Sequence, residues 1–254
     1  MTVTTSEDAL PVLEISALTR NFGHTLALAG VDFAVGPAEI VGLVGPNGSG
    51  KTTLLNIISG SLRPAAGTVR FYGNDITGLP PYKRARLGIA RCSQIVRPLI
   101  GMSVHEVVVV GALFGRNGAA RSVAGARAWA DEMLVRLNLA GQAARPATEL
   151  NIVDRKRLEL ARALAMEPSL LLLDEVMAGL TPPEVDMIVQ LVQSVRETGL
   201  TVIVVEHVMR AITSLCDRAI VLRQGRILAE GAPITVLRDP AVVEAYIGRR
   251  SATD

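Results

Sequence analysis

Eight consecutive residues, Gly45-Pro46-Asn47-Gly48-Ser49-Gly50-Lys51-Thr52, combine three glycines with a lysine and two hydroxyls. Glycine lets a backbone wrap tightly with its N–H groups turned inward, which makes a cradle for a phosphate. Lys51 brings positive charge suited to the β- and γ-phosphates of a nucleotide. The Thr52 hydroxyl, followed by Thr53, suits a Mg²⁺ ligand. A helix starting at the end of the loop adds the positive end of its dipole. By itself a Gly-rich stretch is an ordinary loop. Here an apolar strand pattern precedes it and a helical pattern follows, which is the context that the spacing G-x-x-x-x-G-K-S/T requires.

Three further groups are candidates for chemistry. Leu170 to Leu173 is a bare apolar run ending in Asp174 and Glu175. A carboxylate at the carboxyl end of a buried strand can hold Mg²⁺ through water, so Asp174 is a metal candidate. Glu175, one residue on, is expected on the other side of the strand end, where it can polarise an attacking water. Taken alone, Asp174 reads more readily as a helix cap; beside a complete phosphate loop it does not. His207 ends a third apolar run, Val204-Val205-Glu206-His207. A lone histidine there is usually structural, but a strand running beside the other two would end on the nucleotide side. Gln94, in Ser93-Gln94-Ile95-Val96-Arg97-Pro98, carries little weight on spacing alone.

The elements that must position these residues follow from periodicity. Glu39 to Val44 reads as a buried strand of a parallel sheet and Thr53 to Ser59 as a helix with Gly60 as its stop. Before them, VLEISALTRNF and LAGVDFAV read as strands. After them, Gly67 to Asp75 reads as an exposed strand ending in a turn. From Val104 to Leu139 the pattern is mostly helical, interrupted by a polar Gly/Ala/Arg-rich connection around 115–125. Arg155 to Met166 is an amphipathic helix. The last third alternates: strand Leu170 to Leu173, helix Pro183 to Thr198, strand Leu200 to Val205, helix Val208 to Cys216. A hairpin over Ala219 to Leu222 and Arg226 to Ala229 then turns at Gln224-Gly225. Such alternation argues for an α/β fold. Residues 1 to about 10 and Ser251 to Asp254 read as loose ends.

Composition narrows the classes. The 254 residues are 49% apolar and 20% charged, which excludes intrinsic disorder for most of the chain. Only 3% are aromatic, so the core is aliphatic. Twenty-six basic residues against 24 acidic ones give no support to a nucleic-acid surface. The two cysteines, Cys92 and Cys216, exclude a disulfide framework or a zinc site of the usual spacing and fit a reducing, intracellular compartment. The apolar stretch from Leu99 to Gly115 contains His105 and Glu106 and falls short of the roughly 20 residues a bilayer span needs. The N-terminus, MTVTTSEDAL, lacks the pattern of a secretory signal. A mean hydropathy of +0.36 fits buried strands and leaves room for an apolar docking face.

Taken together, GPNGSGKTT, SQIVRPL, LLLLDE and VVEHV, in this order, make the chain resemble the ATP-binding subunit of an ABC transporter from about Val12 to Gly248. The resemblance implies a P-loop NTPase (RecA-like) α/β core with an antiparallel β-subdomain and an inserted helical subdomain, in a single domain over 10–248. The helical subdomain would cover roughly 95–165 and dock on membrane subunits. A C-terminal hairpin and helix would cover roughly 219–248. ATP and Mg²⁺ are the implied cofactors. Phe22, in LTRNFG, takes the place of the aromatic that stacks on adenine. Gln94 becomes the loop glutamine sensing Mg²⁺ and the attacking water, Glu175 the catalytic carboxylate and His207 the histidine contacting the γ-phosphate. Gly45 to Thr53 binds the phosphates, and Thr52, Gln94 and, through water, Asp174 attend the metal.

Two departures accompany the resemblance. Leu150-Asn151-Ile152-Val153-Asp154 stands where the family usually has LSGGQ, and Ala178-Gly179-Leu180-Thr181 where it often has SALD. In the family the LSGGQ segment clamps the γ-phosphate held by the other subunit. Asn151 would then act in trans, while Ile152 and Val153 crowd the approach; the alternative is that Asn151 and Asp154 only cap the helix that begins near Arg155. RKRLELARALA, LLLLDEVMAGLTPPE and AVVEAYIG resemble the ATPases of branched-chain amino acid importers and their amide and urea relatives. Lipopolysaccharide-export ATPases are similar overall but usually keep the glycine-rich signature. The implied partners are transmembrane permease subunits, a second ATP-binding subunit (a copy or a paralogue) and, indirectly, a solute-binding protein, with no nucleic acid. The implied location is peripheral, on the cytoplasmic face of the plasma membrane. Two other readings stand beside this one: a soluble non-transport ABC ATPase, and a regulatory module that binds ATP without turnover.

Overall fold

The computed structural model describes residues 10–93, 100–117 and 121–247. Along the chain come β1 (Leu13–Phe22), β2 (Thr25–Val35), β3 (Ile40–Val44), α1 (Lys51–Ile58), β4 (Ala66–Phe71), β5 (Asn74–Asp75), α2 (Pro81–Leu87) and β6 (Ile89–Cys92). Three helices follow: α3 (Val104–Phe114), α4 (Val123–Arg136) and α5 (Ile152–Ala165). The last part holds β7 (Leu170–Asp174), α6 (Pro182–Arg196), β8 (Thr201–Val205), α7 (Met209–Leu215), β9 (Arg218–Arg223), β10 (Arg226–Gly231), α8 (Pro233–Val236) and α9 (Pro240–Ile247).

Two sheets result. One is antiparallel, in the order β2-β1-β4-β5. The other runs β10-β9-β3-β8-β7-β6, parallel from β6 to β9 and closed at one edge by the β9–β10 hairpin. The alternation of side chains along a strand divides the parallel sheet between two cores. Ile40, Val44, Leu171, Leu173, Val202 and Val204 face the core shared with α3 to α7. Val41, Leu43, Leu170, Leu172, Ile203 and Val205 face a second core, which they share with α1 and the antiparallel sheet. Helix α1 is therefore packed between two sheets. Each buried Leu, Ile or Val contributes roughly 1.5–3 kcal/mol through burial.

The carbonyls at the end of α1 have no helical partners. Arg84, 1% exposed, supplies them: its Nη1 donates to the oxygens of Ile57 at 2.6 Å and Ile58 at 2.8 Å, and its other nitrogens to Thr77 and Leu79. Burial pulls its pKa down to about 10.

Several elements differ from the sequence reading. Gly67 to Asp75 divides into β4 and β5, and β4 is not simply exposed, because it buries Val69 and Phe71 on alternate positions. Strand β6 and helix α2 are additions. The helix expected from Arg155 begins three residues earlier, because Asn151 caps it: its side chain accepts the N–H of Asp154 at 2.8 Å. Ile152 and Val153 thus form the first helical turn. Among the described residues, no helix is long and apolar enough to cross a membrane.

Candidate functional site

The loop between β3 and α1 is shaped by backbone that only glycine fits. Gly45 has φ +145 and Gly50 φ +111. A Cβ on Gly45 would lie 2.1 Å from the Leu222 carbonyl oxygen, and one on Gly50 would lie 2.5 Å from that of Ala27. Within the loop, Ser49 is 2% exposed and its hydroxyl has no hydrogen-bond partner among the described residues. Such an orphaned polar group in a glycine-shaped cradle fits a bound phosphate. Lys51, 6% exposed, closes the loop on itself by donating to the Gly45 oxygen at 2.7 Å and the Pro46 oxygen at 3.0 Å. Burial lowers its pKa, and the charges of Glu175 and Asp174 oppose that shift.

Asn47 to Thr53, Phe22, Ala27 and Glu175 line one cavity of about 370 Å³. Phe22 is half exposed, with the Arg20 guanidinium 4.9 Å from its ring centre. Asp174, 4% exposed, shares the strand face that carries Leu170 and Leu172, the side on which α1 packs. Its Oδ2 accepts from Arg91 at 2.6 Å, and Arg91 also donates to Asn56 of α1. Arg91 carries no motif signal; only the register of β6 beside β7 reveals it.

Glu175 departs from the expectation that it points to the opposite side of the strand end. Its φ is +50, which breaks strand alternation and turns its side chain into the phosphate-loop cavity. Its Oε1 lies 2.8 Å from Nε2 of His207. His207 in turn lines a neighbouring apolar cavity with Met209, Val242 and Tyr246. The Tyr246 hydroxyl accepts the backbone N–H of Gly45, so α9 touches the loop directly. Asn151 caps α5 through both side-chain atoms, accepting from the Asp154 N–H and donating to its carboxylate at 2.9 Å. Gln94 lies outside the described residues.

As to metal, a threonine hydroxyl and a strand-end carboxylate beside a phosphate cradle are hard oxygen donors and fit Mg²⁺. The parallel sheet, the glycine-shaped loop and the carboxylate–histidine pair define a P-loop nucleotide-binding protein.

Comparison with known proteins then assigns the family. Residues 28–178 match the ABC transporter family, and residues 226–252 match the C-terminal model named branched-chain amino acid ATP-binding cassette transporter. The chain belongs to the ATP-hydrolysing, ATP-binding subunits of ABC transporters. It is 38% identical to the high-affinity branched-chain amino acid transport ATP-binding protein BraF of Pseudomonas aeruginosa, covering 94% of this chain and 98% of that one. It is 34% identical to LivG of Escherichia coli, which carries the same description, over the same shares of each chain. Among solved structures, it resembles the ADP conformation of MJ1267, an ABC transporter cassette. The TM-score is 0.85 at 31% identity, covering 95% of this chain and all of that one.

Proposed function

We propose that this ATPase energises a membrane importer for branched-chain or other hydrophobic amino acids or related amides. The observation that carries the mechanism is Glu175, on the lip of the phosphate loop and hydrogen-bonded to His207 at 2.8 Å. In this reading the loop N–H groups and Lys51 bind the β- and γ-phosphates, and Phe22 stacks on adenine. Thr52, Gln94 and, through water, Asp174 would hold Mg²⁺, which would offset the phosphate charge. Glu175 takes the proton of the attacking water. His207 donates from Nε2 to Glu175, which fixes the carboxylate and sets the imidazole toward the γ-phosphate.

Residues 10–248 act as one unit, with the segment near 95–165 docking on permease subunits at the cytoplasmic face of the membrane. A second ATP-binding subunit, a copy or a paralogue, completes each site. A solute-binding protein acts indirectly, and nucleic acid has no part. The first turn of α5, capped by Asn151, offers the N–H groups of Ile152 and Val153 to a γ-phosphate held by that second subunit. Support for the solute class comes from the names of the relatives and from the C-terminal family match.

Glu175→Gln tests the mechanism. It keeps shape and removes charge, so ATP binding persists while turnover falls by at least about 100-fold. Phosphate release near the wild-type rate refutes the assignment. Permease and solute-binding genes beside this one, with leucine-stimulated ATP hydrolysis by the reconstituted complex, test the solute class.

A further inference from the structure

Two buried charges lie behind Glu175 and His207, outside the chemistry described so far. Lys156, in the second turn of α5, is 8% exposed, and its Nζ donates to the Glu175 backbone oxygen at 3.2 Å. Glu206 is 1% exposed. Its Oε1 accepts the Met177 N–H at 2.7 Å, and its carboxylate also accepts the His207 N–H. Burial disfavours both charges; each is partly compensated by the other. Both grip backbone, and it is the backbone of the two segments that carry Glu175 and His207.

The grip matters because the Glu175 backbone is in the left-handed region, at φ +50. A non-glycine residue stays there only when its surroundings hold it. On one side of Glu175, its N–H donates to the Val205 oxygen at 2.9 Å. On the other, its carbonyl meets Lys156.

We propose that Lys156 is a positioning residue for the catalytic carboxylate: with Glu206 beside it, its ammonium pins the left-handed Glu175 peptide so that the side chain faces both His207 and the phosphate loop. The inference rests on the reading of Glu175 as the base. It also gives α5 two duties. The N-terminus, at Asn151, addresses a phosphate across the dimer, and Lys156 on the same helix holds the carboxylate of its own subunit. A displacement of α5 therefore reaches Glu175 without passing through the nucleotide bound in that subunit.

Lys156→Met in the full chain, assayed with MgATP, tests this. The substitution keeps length and removes the charge and the donor. ATP affinity by calorimetry and KM stay within about twofold of wild type, and ATP-driven dimerisation in the Glu175→Gln background persists. Meanwhile kcat falls about 10- to 100-fold, as expected for a misplaced catalytic group. A kcat within about twofold of wild type overturns the proposal. So does a loss of kcat matched by equal losses of ATP affinity or of folded protein, which would mark a purely structural ion pair. If the methionine variant does not fold, Lys156→Gln, too short to reach the carbonyl, is held to the same readouts. The two failures are distinguishable. An active Glu175→Gln sinks the parent reading. An inactive Glu175→Gln beside a Lys156→Met of wild-type rate sinks this inference alone.

Discussion

Asn151→Ala separates what the start of α5 does for the fold from what it does for ATP-driven assembly. In the structure Asn151 satisfies the Asp154 N–H at 2.8 Å and donates to the Asp154 carboxylate at 2.9 Å. Alanine removes both bonds. The Asp154 carboxylate is not stranded, because Gln142 donates to it at 2.8 Å and Arg157 at 3.0 Å. The loss is therefore that of an N-cap, about 1 kcal/mol. For a chain of this size that lowers Tm by about 2–4 °C. The frayed first turn also misaligns the N–H groups of Ile152 and Val153, so ATP-driven dimerisation, measured by sedimentation in the Glu175→Gln background, weakens roughly fivefold if the same free energy is lost there. Asn151→Ser, an equally good cap, restores both. An unchanged Tm for the alanine variant refutes the cap as an energetic contributor. A lowered Tm with dimerisation unchanged refutes the role in trans.

Two other substitutions probe the loop and its support. Lys51→Ala removes a charge-assisted contact to phosphate worth about 1.5–3 kcal/mol, so the ATP dissociation constant rises roughly 10- to 150-fold; a constant unchanged by calorimetry contradicts the cradle. Arg84→Met removes the guanidinium from the buried carbonyls of Ile58 and of Ile57, which keeps the Gly60 N–H at 3.1 Å, and lowers stability by about 1–3 kcal/mol in urea denaturation. A loss below about 1 kcal/mol shows that water replaces the guanidinium there.

What the sequence determined by itself was whatever is local. The phosphate loop is legible because its residues are contiguous and the cradle is made of backbone. The bare apolar runs before Gly45, Asp174 and His207 read as buried parallel strands, since burial on both faces leaves no place for polar residues. Helix α5 was legible in its apolar stripe but not at its start, because Ile152 and Val153 resemble strand more than helix and the asparagine cap decides the boundary. Tertiary structure alone decided the pairings across long separations. Arg91 meets Asp174 from 83 residues away because β6 lies in register beside β7. Glu175 meets His207 from 32 residues away because β8 runs parallel beside β7 and a left-handed peptide turns the carboxylate back. Lys156 reaches that peptide only because α5 packs behind it. Strand parity tells which face a side chain takes. It does not tell which strand lies next to it, and that neighbour is chosen by packing the whole chain.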